Sequence, residues 1–211
     1  MVAARNEEER LGETLAALRS AFPEARLIVA DDASGDRTPD IAREAGAELV
    51  RAERRLGKGG ANTPAAENAL SSTPDVVLLC DADLGSSASA LTALVGHGDV
   101  AIAKFARRVG GGFGIALNAS RLAVRRLTGR SLDAPLSGQR ALTADALRNV
   151  LPFARGFGME TAMNIDALRA GLEVVEIELD LSHRATGRTV AGFAHRGRQL
   201  ADIARVYVSR R

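Results

Sequence analysis

Val76-Val77-Leu78-Leu79-Cys80-Asp81-Ala82-Asp83 decides how the rest of this sequence is read. An unbroken apolar run of this length predicts a short strand buried on both faces, as in the middle of a parallel sheet. Asp81 and Asp83 follow at its C-terminal end, one residue apart. In open α/β sheets, ligands sit in the crevice outside the strand C-termini. An Asp-x-Asp pair there offers hard oxygen ligands to a divalent cation, with a diphosphate supplying further ligands. The competing reading is a solvated turn that merely ends the strand, and the pair alone does not choose between them.

Upstream, Met1 to Ala4 reads as the end of a first strand, short enough to expect residues before it. Arg5-Asn6-Glu7 turns into a helix with Leu11, Leu15, Leu18 and Phe22 at helical spacing. Leu27 to Ala30 is a second strand, ending in Asp31-Asp32-Ala33-Ser34-Gly35-Asp36-Arg37-Thr38-Pro39. Thr38 and Pro39 predict an N-cap and first helical position. The helix runs to Ala45, Gly46 stops it, and Ala47 to Arg51 forms a third strand. This β-α-β-α-β alternation predicts a parallel sheet with a nucleotide-binding style first half. Gly57-Lys58-Gly59-Gly60-Ala61-Asn62 precedes another helix. It is not a P-loop, because Gly59 stands where Ser or Thr is needed. It can bring a lysine and free backbone N–H groups to a diphosphate, or serve only as a flexible helix entry.

Downstream, the pattern predicts a helix around Ala88 to Val95 and a fifth strand at Val100 to Ala103. Lys104 to Gly114 is basic, then glycine-rich, and reads either as a loop that closes over the site or as ordinary surface. A helix follows from about Ile115 to Thr128. Ser137-Gly138-Gln139-Arg140-Ala141 begins another strand, and Ala144 to Val150 is a short helix. Gly156-Phe157-Gly158-Met159-Glu160 opens a helix to Ala170, and Leu172 to Leu179 alternates imperfectly, like an edge-side strand. Ser182 to Arg188 is polar and broken by Gly187. A final helix, roughly Ala191 to Val208, puts Phe193, Leu200, Ile203 and Tyr207 on one stripe. No internal repeat or linker interrupts the chain.

Composition bounds the function. At 211 residues, the chain suits one compact domain. Hydrophobic residues make up 46%, which excludes disorder. Aromatics are only 3%, which argues against base-stacking platforms and hence against a nucleic-acid partner. No apolar run reaches the roughly 20 residues of a membrane span, and no secretory signal precedes the first helix pattern. The single Cys80 excludes an intramolecular disulfide, and its place in an apolar strand predicts an inert thiol. A cytoplasmic protein is the expectation. Residues 184–211 hold seven arginines and one acid, Asp202, in a chain of net charge +2. The C-terminal stretch is therefore basic and the body mildly acidic, and basic tails attract phosphates, nucleic acid or anionic membranes.

Taken in order, Ala4-Arg5-Asn6-Glu7, the Asp31 to Thr38 segment, Gly57-Lys58-Gly59, Asp81-Ala82-Asp83, Ser137-Gly138-Gln139-Arg140 and Glu160 resemble a family 2-type glycosyltransferase. The likeness covers nearly the whole chain. It is nearest to enzymes resembling dolichyl- or polyprenyl-phosphate sugar synthases, and looser to glucosyl-3-phosphoglycerate synthases. It implies an α/β, GT-A (Rossmann-like) three-layer α/β/α fold with a mixed, mostly parallel sheet. Residues 1–103 would form the nucleotide-binding half, 104–189 the acceptor-binding half and 190–211 the basic C-terminal helix. The implied activity is metal-dependent, inverting transfer of a sugar from a UDP- or GDP-linked donor. The acceptor would be polyprenyl phosphate or a small phosphorylated molecule.

The same resemblance implies residue roles. Ala4, Arg5, Glu7 and Asp32 would line the nucleotide pocket, with Asp32 accepting hydrogen bonds from base or ribose. Asp36 would hold that loop. Lys58 would lie near the phosphates. Asp83 would ligate Mg²⁺ or Mn²⁺, with Asp81 nearer the ribose or a metal-bound water and Ala82 between them in the same pocket. His183 would complete the metal shell or be a hydrogen-bonded loop histidine. Arg184 and Arg188 match basic residues that hold phosphate, or are solvated arginines. Glu160 is the candidate general base for a hydroxyl acceptor. For an acceptor phosphate, already ionised, it would orient acceptor or sugar; as a third reading it is a helix-capping acid. Peripheral contact with an anionic membrane at its inner face, and a homodimer through the last helix, are further expectations. No Trp and no Gln-x-x-Arg-Trp motif occurs, which argues against processive polymer synthesis. The alternatives are a non-catalytic nucleotide-sugar-binding or membrane-surface module and a sugar-phosphate nucleotidyltransferase. Against the latter, Arg5-Asn6-Glu7-Glu8 stands where such enzymes carry a glycine-rich basic turn.

Overall fold

The computed structural model describes residues 1–106, 114–181 and 190–211, with side chains of the last stretch described from Gly197 onward. A seven-stranded sheet has the order β3-β2-β1-β4-β6-β5-β7. Its strands are β1 (Val2–Ala4), β2 (Ile28–Asp31), β3 (Glu48–Arg51), β4 (Val76–Asp81), β5 (Val100–Phe105), β6 (Arg140–Thr143) and β7 (Val174–Leu179). Strands β1 to β4 pair in parallel, as does β7 with β5, while β6 lies antiparallel between β4 and β5. The sheet is mixed and mostly parallel, and β7 is an edge strand, both as expected from sequence.

The helices are α1 (Leu11–Ala21), α2 (Thr38–Glu44), α3 (Lys58–Leu70), α4 (Ile115–Thr128), α5 (Ala144–Val150), α6 (Met159–Arg169) and α7 (Val190–Ser209). Because side chains alternate across a strand, each face of the sheet builds its own core. Val77 and Leu79 of β4 join Ile102 and Leu142 beneath Ala65 and Ala66 of α3, Val124 of α4, Leu147 of α5 and Met163 of α6. Cys80 faces the other way and joins Val2 and Val29 against Leu11, Leu15 and Leu18 of α1 and Leu91 and Leu94. Burying each such leucine contributes about 2 kcal/mol, so the predicted α1 stripe is spent on the core.

Three local expectations are corrected. The helix expected at Ala88 to Val95 is a run of 3-10 turns from Gly85 to Leu94. There the Ser87, Ser89 and Thr92 hydroxyls donate to the carbonyls of Leu84, Ser86 and Ser89; side chains that bond the backbone three residues back compete with α-helical geometry. Thr38 does not cap α2. Its Oγ1 accepts from Glu7 N at 2.8 Å, while Asp36 Oδ1 accepts from Thr38 N. Among the described side chains of α7 the buried ones are Ile203 and Val206, and Leu200 and Tyr207 are only half-buried; Phe193 lies outside the described side chains. Arg107 to Phe113 of the expected closing loop, and His183, Arg184 and Arg188, also lie outside the described residues.

The chain runs β1 to β2 to β3 in one direction and then places β4 on the other side of β1. The order thus reverses between β1 and β4, and a crevice opens at the C-terminal ends flanking such a switch point. The register pairs Ala4 with Asp31 and Ala3 with Asp81, so the two acidic segments flank β1 on one rim of the sheet.

Candidate active site

A cavity of about 330 Å³ opens at that rim, lined among others by Arg5, Glu7, Asp32, Lys58, Asp81 and Phe157. A larger one, about 520 Å³, lies at the opposite, N-terminal ends of β1, β2 and β4, around Met1, Ile28 and Val76. It holds none of the predicted site residues.

The wall beside β2 is tied together by backbone donors. Asp32 is almost fully buried, and its carboxylate accepts from Leu56 N at 2.6 Å and Gly57 N at 3.0 Å. It therefore lines the pocket and also fixes the turn that launches α3. Asp31 is sealed below, accepting from the Ser34 hydroxyl and from Arg51 Nε at 3.1 Å. Asn6 and Ala33 adopt left-handed backbone, φ 54° and 55°. Such residues cost about 1–3 kcal/mol and persist where neighbours over-determine them. Asn6 N donates to Ser34 Oγ and Gly35 N to Asn6 Oδ1, while Glu8 N donates to Asp36 Oδ2. Asp36 thus holds the loop, as expected. Burial would raise its carboxyl, but hydrogen bonds from Thr38 and Glu8 outweigh that and lower it.

The wall beside β4 is ionic. Lys58, first residue of α3, reaches Asp81 Oδ1 at 2.5 Å and Glu160 Oε1 at 2.7 Å. Burial, the largest influence, depresses the amine, but the two carboxylates outweigh it and hold Lys58 above the ordinary lysine value. The lysine is therefore a fixed cation throughout the physiological range. Gln139 Nε2 donates to Asp81 Oδ2 at 2.9 Å. Glu160 sits in the first turn of α6, 6% exposed, where the helix dipole favours its charge.

Beneath this wall lies Arg140, fully buried at the start of β6. It donates to Ser137 O at 2.8 Å, Pro135 O at 3.2 Å and Asn164 Oδ1 at 2.6 Å. Burial, partly offset by Glu160 and Glu176, brings its guanidinium down to about 10. Arg140 staples the segment carrying Gly138 and Gln139 to α6. A Cβ at Gly138 would stand 2.5 Å from Lys58 Nζ and 2.6 Å from Asp81 Oδ2, so the close approach requires glycine. The third wall, Gly156 and Phe157, is braced by the C-terminal helix. Phe157 N donates to Asp202 Oδ2 of α7 at 3.0 Å, and a Cβ on Gly158 would come within 2.6 Å of Val206.

The structure thus brings Ala4, Arg5, Glu7, Asp32, Lys58 and Asp81 to one cavity, with Glu160 joined through Lys58. Ala82 does not line it. Its side chain is 1% exposed and packs into the core with α1, because the residue after Asp81 points through the opposite face. Asp83 is half-buried on the turn beyond the strand, outside the cavity lining. Gln139, Arg140 and Asp202 were missed as site-building residues. Their signal was a polar run entering a central strand and a lone acid in a basic helix.

Among the described residues no group of three His, Cys, Asp or Glu is placed to hold a metal ion. The donor set still fits one: two carboxylates with hard oxygens, the number Mg²⁺ takes when phosphates complete its octahedron. The fit is to a cation that arrives with a phosphorylated ligand.

Residues 1–119 match the family described as glycosyl transferase family 2. An undecaprenyl-phosphate mannosyltransferase of Micrococcus luteus is 30% identical over 219 residues, spanning 95% of this chain and 89% of that protein. Among solved structures, glucosyl-3-phosphoglycerate synthase of Mycobacterium tuberculosis with Mn²⁺, UDP-glucose and phosphoglyceric acid superposes with a TM-score of 0.77. That match has 25% identity and covers 99% of this chain and 77% of that one. The same synthase with Mg²⁺ and UDP gives the same TM-score, identity and coverage. The sheet is therefore that of a GT-A glycosyltransferase. The chain belongs to glycosyltransferase family 2 and is an enzyme, a hexosyltransferase. The nucleotidyltransferase and non-catalytic readings fall away.

Proposed function

We propose that this enzyme transfers a hexosyl group from a nucleoside-diphosphate sugar to a lipid phosphate, with inversion at the sugar. One observation carries the reading: Lys58 joins Asp81 and Glu160 at the rim of a cavity that also holds Asp32. In this reading residues 1–103 hold the donor, residues 104–189 face the acceptor, and residues 190–211 form a basic C-terminal helix. The nucleotide lies over Ala4, Arg5 and Glu7, with Asp32 toward base or ribose. Asp81 stands near the ribose, and Asp83 would hold the cation. A bound Mg²⁺ or Mn²⁺ would supply positive charge against the departing diphosphate; Lys58 adds a second, fixed charge on the same side. His183 is assigned to the metal shell, and Arg184 and Arg188 to the acceptor phosphate.

An acceptor phosphate oxygen attacks the anomeric carbon, the bond from that carbon to the diphosphate breaks, and the electron pair leaves with the diphosphate. A phosphate is already ionised at neutral pH, so no proton needs removal. Glu160, buried and clamped by Lys58, then orients rather than abstracts. The Micrococcus luteus relative's name supports the lipid-phosphate acceptor. The phosphoglyceric acid bound by the Mycobacterium tuberculosis synthase favours a second reading, a small phosphorylated acceptor. Either fits a phosphate at the acceptor side; a lipid would place the enzyme at the inner face of a membrane.

The test is incubation with UDP- and GDP-linked hexoses, Mg²⁺ or Mn²⁺, and either polyprenyl phosphate or 3-phosphoglycerate, with products read by mass spectrometry. A hexosyl polyprenyl phosphate is expected, and Asp83→Ala should abolish it. Transfer to 3-phosphoglycerate alone replaces the lipid reading with the second. No transfer from any donor to either acceptor defeats both.

A further inference from the structure

Away from the cavity, α4 and α7 pack together and leave an apolar groove of about 490 Å³ between them, open to solvent. Its walls are Ala119 and Leu122 of α4 and Leu200, Tyr207 and Val208 of α7, with Arg126 at its edge. Ile115, Ala119, Leu122 and Arg126 recur at four- and three-residue steps, one ridge of α4, as do Leu200, Ala204 and Tyr207 on α7, with Arg211 just past its end. Leu122 is 47%, Ile115 57% and Val208 74% exposed; together with Val95 they are the exposed large hydrophobics of the described residues. Three of these four therefore lie on this helix pair.

Among the described residues, the charge left over around the groove is basic. Helix α4 contains Arg121, Arg125 and Arg126 and no acid, and Arg130 follows it. Arg121 is turned to the Asp133 carbonyl, while Arg125, Arg126 and Arg130 are exposed. From Gly197 to Arg211 the single acid, Asp202, is committed to Phe157 N and Arg205. Arg210 is paired with Asp166, which leaves Arg198 and Arg211 exposed.

We propose that the α4–α7 face docks on an anionic lipid bilayer, with Leu122, Tyr207 and Val208 entering the headgroup boundary and Arg125, Arg126 and Arg211 meeting lipid phosphates. A surface with a polar rim of Lys or Arg and an apolar centre is what an interfacial helix presents. A second copy of this chain fits poorly. A two-fold dimer sets a patch against itself, so it would oppose the arginines of α4 to one another with no acid on that helix to answer them. The face is separate from the cavity and does not rest on the acceptor's identity. It does share α7 with the cavity wall, through Asp202.

The experiment is co-sedimentation of the purified protein with phosphatidylcholine vesicles, with and without phosphatidylglycerol, free of any polyprenyl phosphate. Binding is expected only with phosphatidylglycerol, and weakened at 0.5 M NaCl. Arg125→Gln and Arg126→Gln should each weaken it about fivefold, the effect of one basic residue near an anionic surface. Leu122→Asp and Val208→Asp, both at exposed positions, should abolish it while circular dichroism and nucleotide binding stay unchanged. Equal binding to neutral vesicles, or unchanged binding by these variants, overturns the proposal. So does a dimer in analytical ultracentrifugation that Leu122→Asp dissolves, since a second copy then owns the face.

Discussion

Lys58 is the residue on which the site's electrostatics turn. Without it, Asp81 and Glu160 face each other across the cleft with no cation between them. Lys58→Met should therefore lower kcat on the order of 100-fold, the scale of losing one preorganised charge near a leaving group, measurable with whichever acceptor is identified. Because the folded amine is held above its unfolded value, its contribution to stability is complete below the unfolded lysine pKa, ~10.4, and fades only as pH rises through the folded value. The stability gap between wild type and Lys58→Met, from urea titrations, should then stay flat from about pH 7 to about 10; a gap that closes in that window contradicts the pairing. Cys80 gives the opposite case of a buried group with no partner to charge it. Burial pushes its thiol up to about 12, so the native protein should resist iodoacetamide at pH 8 and react only in denaturant. Rapid native alkylation would mean that β4 opens. Gly138→Ala should keep the fold but separate Lys58 from Asp81, which a fall in kcat and a lowered urea midpoint with an unchanged circular-dichroism spectrum would show.

Elements explain why some of this was readable and some not. Asp81, Lys58, Asp32 and Glu160 each lie at or next to the end of an element, and the order of strands and helices in a parallel sheet sends such ends to one rim. Gln139 and Arg140 act through partners 58 and 24 residues away. Those pairings exist only because β6 inserts antiparallel between β4 and β5, and nothing in the local pattern near Ser137 states that direction. The 3-10 run after Asp83 was misread because its apolar spacing is helical, while its hydroxyls bond back to the backbone. Ala82 was misplaced by proximity in sequence, although strand alternation sends it through the sheet. Two elements carry predictions. Arg140→Ala leaves Asn164 Oδ1 and the Ser137 carbonyl without their donor, while Pro135 O keeps Asn164 Nδ2, so a loss of about 2–6 kcal/mol is expected from urea unfolding. Asp202→Ala frees the Gly156–Phe157 wall from α7 and should raise the donor KM several-fold with kcat little changed.

At the scale of the molecule, two cores sandwich one sheet, and several elements converge on the β1–β4 crevice. Loops of β1 and β2 lace each other, α3 brings in its lysine, α6 its glutamate, and α7 braces the remaining wall. Of the basic C-terminal stretch, α7 packs on the body as a helix, and Arg205 and Arg210 are paired with Asp202 and Asp166. Its remaining charge lies beside an apolar groove, which composition alone could not place. No helix among the described residues is long and apolar enough to cross a membrane. In the proposed reaction, carboxylates at the end of β4 recruit a cation together with a nucleoside diphosphate. Isothermal titration with UDP and GDP, with and without Mn²⁺, tests it on wild type and on Asp83→Ala. Binding of one nucleotide that requires Mn²⁺ in wild type and disappears in Asp83→Ala is the predicted result. Equal affinity without the cation, or unaltered cation-dependent binding in Asp83→Ala, would contradict it.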